Sequence, residues 1–214
     1  MPNWVTTKIR TTPEVISAMT NKDDGRIDFA IAMPFPGEFP WDGISIKAEE
    51  MAEVVAGIPV NGHPLIASLQ RSSRAEAKLS ALDDEEFDQF IQMLRNHRKC
   101  GFLHQMDFAR ASWGTKWNAC ESSVSEDGSE ASFDTAWSCP KPVLAALSQR
   151  FPEAEIHVTY ADEDIGSNCG TYVLKSGAVV SSDIAPRWAE QSDEEKKRWT
   201  AFANEVKGWE PEED

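Results

Sequence analysis

The spacing of apolar residues changes several times along the chain, and each change marks an element. From Trp4 to Thr11 the alternation has period two, with Val5, Thr7, Ile9 and Thr11 on one face, until Thr12-Pro13 breaks it. That pattern predicts a first strand. Pro13 to Met19 predicts a short helix with proline in its first turn, turn formers fill Asn21 to Gly25, and Arg26 to Met33 reads as a second strand. Pro34, Pro36, Gly37 and Pro40 then interrupt the pattern around Phe35, Phe39 and Trp41, aromatics expected to fold back as a lid on the core. Lys47 to Ala56 predicts a helix closed by Gly57, before a loop holding Pro59, Gly62 and Pro64. Asp83-Asp84-Glu85-Glu86 resembles a capping box, and Phe87, Phe90, Ile91 and Leu94 follow at i, i+3, i+4 and i+7. The last turn of that helix carries Arg95, His97, Arg98 and Lys99, cations placed where the helix dipole is negative.

Beyond residue 100 the pattern predicts strands over Phe102 to Ala109, Ser112 to Ala119 and Ala131 to Trp137, the last two joined by a hairpin loop over Glu121 to Gly128. Pro140-Lys141-Pro142 opens a helix bearing Val143, Leu144, Leu147 and Phe151, stopped by Pro152. Three strands follow, over Glu155 to Tyr160, Gly170 to Leu174 and Ala178 to Ser182. Ser192-Asp193-Glu194-Glu195 is a second capping box, and Trp199, Phe202, Ala203 and Val206 form the apolar stripe of a C-terminal helix that docks on the rest. The acidic tail from Trp209 to Asp214 is expected to be mobile. Strand, helix and strand in that order against an antiparallel sheet is an α+β signature.

Several short motifs carry a resemblance. They are Ser112-Trp113-Gly114-Thr115-Lys116-Trp117-Asn118, Phe133 to Ser138, Pro140-x-Pro142-Val143-Leu144-x-x-Leu147-Ser148 and Phe151-Pro152, together with Met1-Pro2-Asn3-Trp4 and Ile31-x-Met33-Pro34. In these the chain resembles the phage- and plasmid-borne family with a YubB-type ferredoxin-like domain. The resemblance implies a ferredoxin-like sandwich, an antiparallel sheet with helices on one face, carried by a mobile genetic element. The expected organisation is a ferredoxin-like domain over 1–44 and 101–190, a helical insertion over 45–100, and a C-terminal helix and acidic tail over 191–214. No iron–sulfur cluster or other cofactor is implied. The chain departs from the family pattern at Val5 and at Ser138-Cys139-Pro140, so no shared thiol or metal role carries over to those positions.

Charge narrows the choice of partner. Residues 1–100 hold 15 acidic and 11 basic groups, net −4, and residues 101–214 hold 21 and 10, net −11. A field of this sign repels a phosphate backbone and steers the protein toward basic surfaces, so direct nucleic-acid binding is disfavoured and a host protein or complex with a basic surface is the expected partner. Solubility alone is the other reading of the same acidity. Met1 to Arg10 holds no apolar run of signal-peptide length, which makes a cytoplasmic location the expectation, and no run is long enough for a membrane span. Cys100, Cys120, Cys139 and Cys169 match no redox-pair or zinc-ribbon spacing and read as free thiols.

Candidate chemistry is sparse. His97, Cys100 and His104 have the residue types of a metal site, but Gly101 ends the helix that would align them, and no metal is assigned. Cys169 with His157 has the types of a nucleophile and base, with nothing in the spacing to bring them together. The Asp164 to Gly170 loop fits no phosphate-binding fingerprint. Without a catalytic set, the reading is a non-catalytic accessory protein of a mobile element. It binds and inhibits a host nucleic-acid-handling defence complex, of anti-CRISPR or anti-restriction type, through an acidic, nucleic-acid-mimicking surface. Glu126, Asp127 and Glu130 with Asp162, Glu163 and Asp164 are the expected interface. The alternative is a nucleic-acid or small-ligand binding module that stacks its ligand on a sheet face bearing Trp113 and Trp117, with Lys116, Arg95, Arg98 and Lys99 nearby.

Overall fold

A computed structural model describes residues 3–210. The Met1-Pro2 part of the opening motif and residues 211–214 of the acidic tail lie outside the described residues. In chain order the elements are β1 (Trp4–Arg10), α1 (Pro13–Ser17), α2 (Phe29–Ala32), α3 (Ile46–Ala56), α4 (Pro64–Glu76), α5 (Asp84–Cys100), α6 (Gln105–Ser112), β2 (Cys120–Val124), β3 (Glu130–Ala136), α7 (Lys141–Arg150), β4 (Ile156–Asp162), β5 (Gly170–Lys175), β6 (Ala178–Ile184) and α8 (Asp193–Lys207). They fall into two compact units, Met1–Pro34 with Ala109–Asp214, and Phe35–Phe108. Where the sequence places an insertion over 45–100, the second unit therefore runs from Phe35 to Phe108, and α8 belongs to the first.

The first unit is built on one antiparallel sheet in the order β2-β3-β1-β4-β5-β6. The succession β1-α1-β2-β3-α7-β4 with β1 between β3 and β4 is the ferredoxin-like arrangement, and the β5-β6 hairpin widens it at one edge. Alternation decides which face is covered. Val5 and Ile9 of β1, Phe133 of β3 and Val158 and Tyr160 of β4 pack with Val15, Ile16, Phe29, Val143, Leu144 and Leu147 of α1, α2 and α7. On the opposite face α8 covers only one end, where Trp199, Ala203 and Val206 meet Ala161 and Cys169. Its start is the capping box expected from the sequence: Ser192 accepts from the Glu195 amide and Glu195 accepts from the Ser192 amide.

In the second unit, Ala48, Met51 and Ala52 of α3 pack with Phe90 and Met93 of α5 and with Leu103. Phe35 lies against Phe108, and Phe39 against Trp41 and His104, so the aromatics expected to form a lid are packed inside this unit. Helix α4, for which the sequence pattern predicts no element beyond the loop at Pro59 to Pro64, begins with Pro64 in its first turn.

Three strand predictions fail, each for an identifiable physical reason. Arg26 to Met33 is not a strand but holds α2, because the Asp28 carboxylate caps the Ala30 amide and Asn118 accepts from the Phe29 amide. Phe102 to Ala109 is not a strand but enters α6, whose start is capped by His104 Nδ1 accepting from the Asp107 amide while Asp107 accepts from the Leu103 amide. Ser112 to Ala119 has no strand: Gly114 turns at φ 74°, and a Cβ there would lie 2.6 Å from Pro142 Cδ. The strand begins instead at Cys120, which shortens the hairpin loop between β2 and β3.

Candidate functional site

The end of the sheet where β3 and β4 finish and β1 begins gathers three tryptophans. The Trp117 and Trp137 rings are stacked with centroids 6.0 Å apart and planes 30° apart, and Trp4 leans on Trp117 at 6.0 Å. Lys116 Nζ sits 4.9 Å and 4.8 Å from the Trp117 and Trp137 ring centres, a shared cation–π contact. Trp117 is 37% and Trp137 48% exposed, so this is a surface feature.

The backbone under Trp137 is held in an unfavourable place. Its φ is +63°, a left-handed conformation that costs an L-residue about 1–2 kcal/mol. Two hydrogen bonds fix it there: the Trp137 amide donates to Asn3 O at 2.9 Å, and Asn168 Nδ2 donates to Trp137 O at 3.2 Å. The residue is thereby aimed outward rather than continuing β3.

Carboxylates border these rings. Glu163 accepts from the Trp4 amide at 2.9 Å. Asp162 is buried and accepts from the Asp164 amide and from Asn168 Nδ2, which ties the acidic segment to the residue that holds Trp137. Lys207 Nζ donates to Trp4 O at 3.1 Å, and of the three acids only half-buried Glu163 and exposed Asp164 reach the surface.

The other expected acidic group is elsewhere. Glu130 pairs with Arg10 at the far end of β1, whereas Asp162 pairs with Val5 at its start. Arg10 and Val5 are five residues apart, so the groups are separated by roughly 17 Å along the strand. Asp127 organises its own loop, accepting from the Ser125 and Ser129 hydroxyls and the Ser129 amide, and these bonds hold its carboxyl at a pKa of about 2. The six acidic residues thus form two groups, not one interface.

The expected aromatic face is likewise redistributed. Trp113 does not share a strand face with Trp117; it is buried, its ring edge-on to Phe29 at 5.7 Å and its indole donating to Met33 O. Arg95, Arg98 and Lys99 lie on α5 in the second unit, where Arg95 and Lys99 line a small cleft of about 240 Å³ with Glu38, Gln92 and Asn96. Trp4 and Trp137 were not among the expected site residues; the interruption of β3 immediately before Ser138-Cys139-Pro140 was the available signal.

The thiol and metal candidates do not assemble. Cys169 is fully buried and its thiol is pushed up to about 11, chiefly by burial. His157 pairs across the ladder with Val173, four residues beyond Cys169, a separation of about 13 Å. His104 is buried against Glu49 at 3.1 Å, while Cys100 donates to Asn96 O. Among the described residues there is no cluster of three His, Cys, Asp or Glu side chains able to hold a metal, and no helix is long and apolar enough to cross a membrane.

A second feature is the part of the sheet face that α8 leaves open. It forms a groove of about 760 Å³, lined from β1 to β5 by residues that include Lys8, Arg10, Ser132, His157 and Thr159.

No curated protein matches the sequence. Among solved structures, the crystal structure of a protein api92 from Yersinia pseudotuberculosis aligns with 87% of this chain and 99% of its own, at 10% identity and a TM-score of 0.36. Residues 112–202, from the end of α6 into α8, match the family model of the ferredoxin-like domain in Api92-like protein.

Proposed function

We propose that this protein is a non-catalytic binding module that engages a partner protein through the tryptophan-bearing end of its sheet. The observation that carries the reading is Trp137, stacked and half exposed on a backbone conformation that is costly for any side chain and that Asn3 and Asn168 impose. Strain of this kind persists where a side chain must be presented, and exposed tryptophan is the residue type that most often anchors protein interfaces. Glu163 and Asp164 beside the rings select a partner with basic residues around an apolar contact. They equally work against a nucleic-acid strand, which would bring phosphates to these two carboxylates. In the mobile-element setting suggested by the sequence resemblance, the partner is a host defence protein whose basic groove handles nucleic acid. Mimicry of that nucleic acid then rests on Glu163 and Asp164 alone, with buried Asp162 and with Glu126, Asp127 and Glu130 outside the interface.

Tryptophan emission reads the site directly. An arginine-rich peptide should shift the emission, saturably and less strongly as salt rises, with Trp137→Ala and the pair Glu163→Lys and Asp164→Lys each abolishing the change. Quenching by a single-stranded oligonucleotide, with no response to the peptide, would refute the proposal.

A further inference from the structure

We infer that the open part of the sheet face is a binding site for the phosphoryl group of a small ligand, centred on Lys8. The ladder register builds the site. Lys8 pairs across the sheet with Ser132 on β3 and with Thr159 on β4. Ser132 in turn pairs with Ser123 on β2, and Thr159 with Thr171 on β5. One lysine therefore stands in the middle of a row of four hydroxyls, with directly opposed neighbours about 5 Å apart. In the next row Arg10 stands between Glu130 and His157. All of these residues line the groove of about 760 Å³, a volume within the usual range for small-molecule sites.

The charges on this face are unusual for such an acidic chain. The acidic groups around the face are mostly engaged: Asp134 accepts from Thr6, Glu155 pairs with Lys175 and His157, and Asp183 pairs with Arg198. Among the described residues, Lys8 and Arg10 have no ion-pair partner, and the hydroxyls of Ser123, Ser132, Thr159 and Thr171 have no hydrogen-bond partner. Two unpaired cations on the central strand of a protein with a net charge of −15 form a local positive site, and the surrounding hydroxyls are donors of the kind that hold phosphate oxygens. Glu130 beside Arg10 weakens the field in its own row and so favours the Lys8 row.

The occupant is a small phosphate ester rather than a nucleic-acid strand. Phe133, Tyr160 and Tyr172 all point into the core on the other face, so the groove offers a base no phenyl, phenol or indole ring, and the one imidazole, His157, is paired with Glu155.

Backbone amide shifts in nuclear magnetic resonance test the site with three probes: inorganic phosphate, adenosine monophosphate and a single-stranded DNA oligonucleotide. Saturable shifts at Lys8, Ser132 and Thr159 with phosphate and the monophosphate are expected. Lys8→Met should weaken binding about tenfold or more, the loss of one charge-assisted hydrogen bond. Ser132→Ala and Thr159→Val should each weaken it several-fold, and Trp137→Ala should leave it unchanged, which separates this site from the partner-binding one. Lys8 is exposed, so its replacement should leave the thermal transition in place. No saturable shift with phosphate and monophosphate, equal affinity in Lys8→Met, or tighter binding of the oligonucleotide would overturn the assignment.

Discussion

Replacing Trp137 by glycine and, separately, by alanine isolates the strain under the exposed ring. Both variants lose the stack on Trp117 and the contact with Lys116, and both leave the amide and carbonyl bonds to Asn3 and Asn168 available. They differ in the cost of φ +63°, which is about 1–2 kcal/mol for alanine and nearly nothing for glycine. Glycine gives back about 0.4–1 kcal/mol through the greater freedom of its unfolded chain. The glycine variant should therefore be more stable than the alanine variant by about 0.5–1 kcal/mol. For a chain of this length that is roughly 1–4 °C in melting temperature. Circular dichroism during urea titration measures it without relying on tryptophan emission, and a midpoint shift at unchanged slope assigns it to stability. An alanine variant as stable as the glycine variant would show that residue 137 is not held in the left-handed conformation. The strain argument for presentation of the ring would then fail.

Three further outcomes follow from the fold and the site. Phe133→Ala removes a ring that is 1% exposed and edge-on to Phe29 at 5.5 Å, and should cost about 3–5 kcal/mol in thermal or urea unfolding; a cost below 1 kcal/mol would contradict the packing of β3 on α2. At neutral pH an alkylating reagent should modify half-buried Cys100 first, then Cys120, whose thiol burial pushes up, and should spare Cys139 and Cys169 until the protein unfolds. Fast labelling of Cys169 would reverse that order. The Asp127 carboxyl, held at about 2 against an ordinary 3.8, favours the folded state above 3.8, and this contribution is lost as pH falls toward 2. Asp127→Asn should flatten stability against pH in that window, and an unchanged acid limb would show that the Ser125 and Ser129 bonds do not hold.

Signals carried by local chemistry were legible in the sequence. Capping boxes at Asp83 and Ser192, prolines in the first turns of α1 and α7, and strict alternation in β1 and β4 each place an element where it is found. The misread segments depend on partners distant in sequence or on unusual caps. Helix α2 forms because Asn118, 89 residues away, accepts from the Phe29 amide. Helix α6 hides behind a period-two run of Phe102, His104, Met106 and Phe108 because its cap is a histidine ring, outside the usual capping residues. The candidate site shows the same division. Sequence alone identified Trp117, Lys116 and the acids at 162–164 as notable, but their grouping with Trp4 and Trp137 requires the register of β1 against β3 and β4. That register also sends Glu130 to the opposite end of β1 from Asp162.

The role proposed for Trp137 is that of an anchor for a basic partner. Its most direct measurement is quantitative capture of partner from host extract at low and moderate salt by the wild-type protein, by Trp137→Gly, and by the pair Glu126→Lys and Asp127→Lys. The expected result is a salt-sensitive protein partner retained by wild type and by the loop pair and lost by Trp137→Gly, which keeps its fold. Full retention by Trp137→Gly, or recovery of nucleic acid in place of a protein, would contradict it.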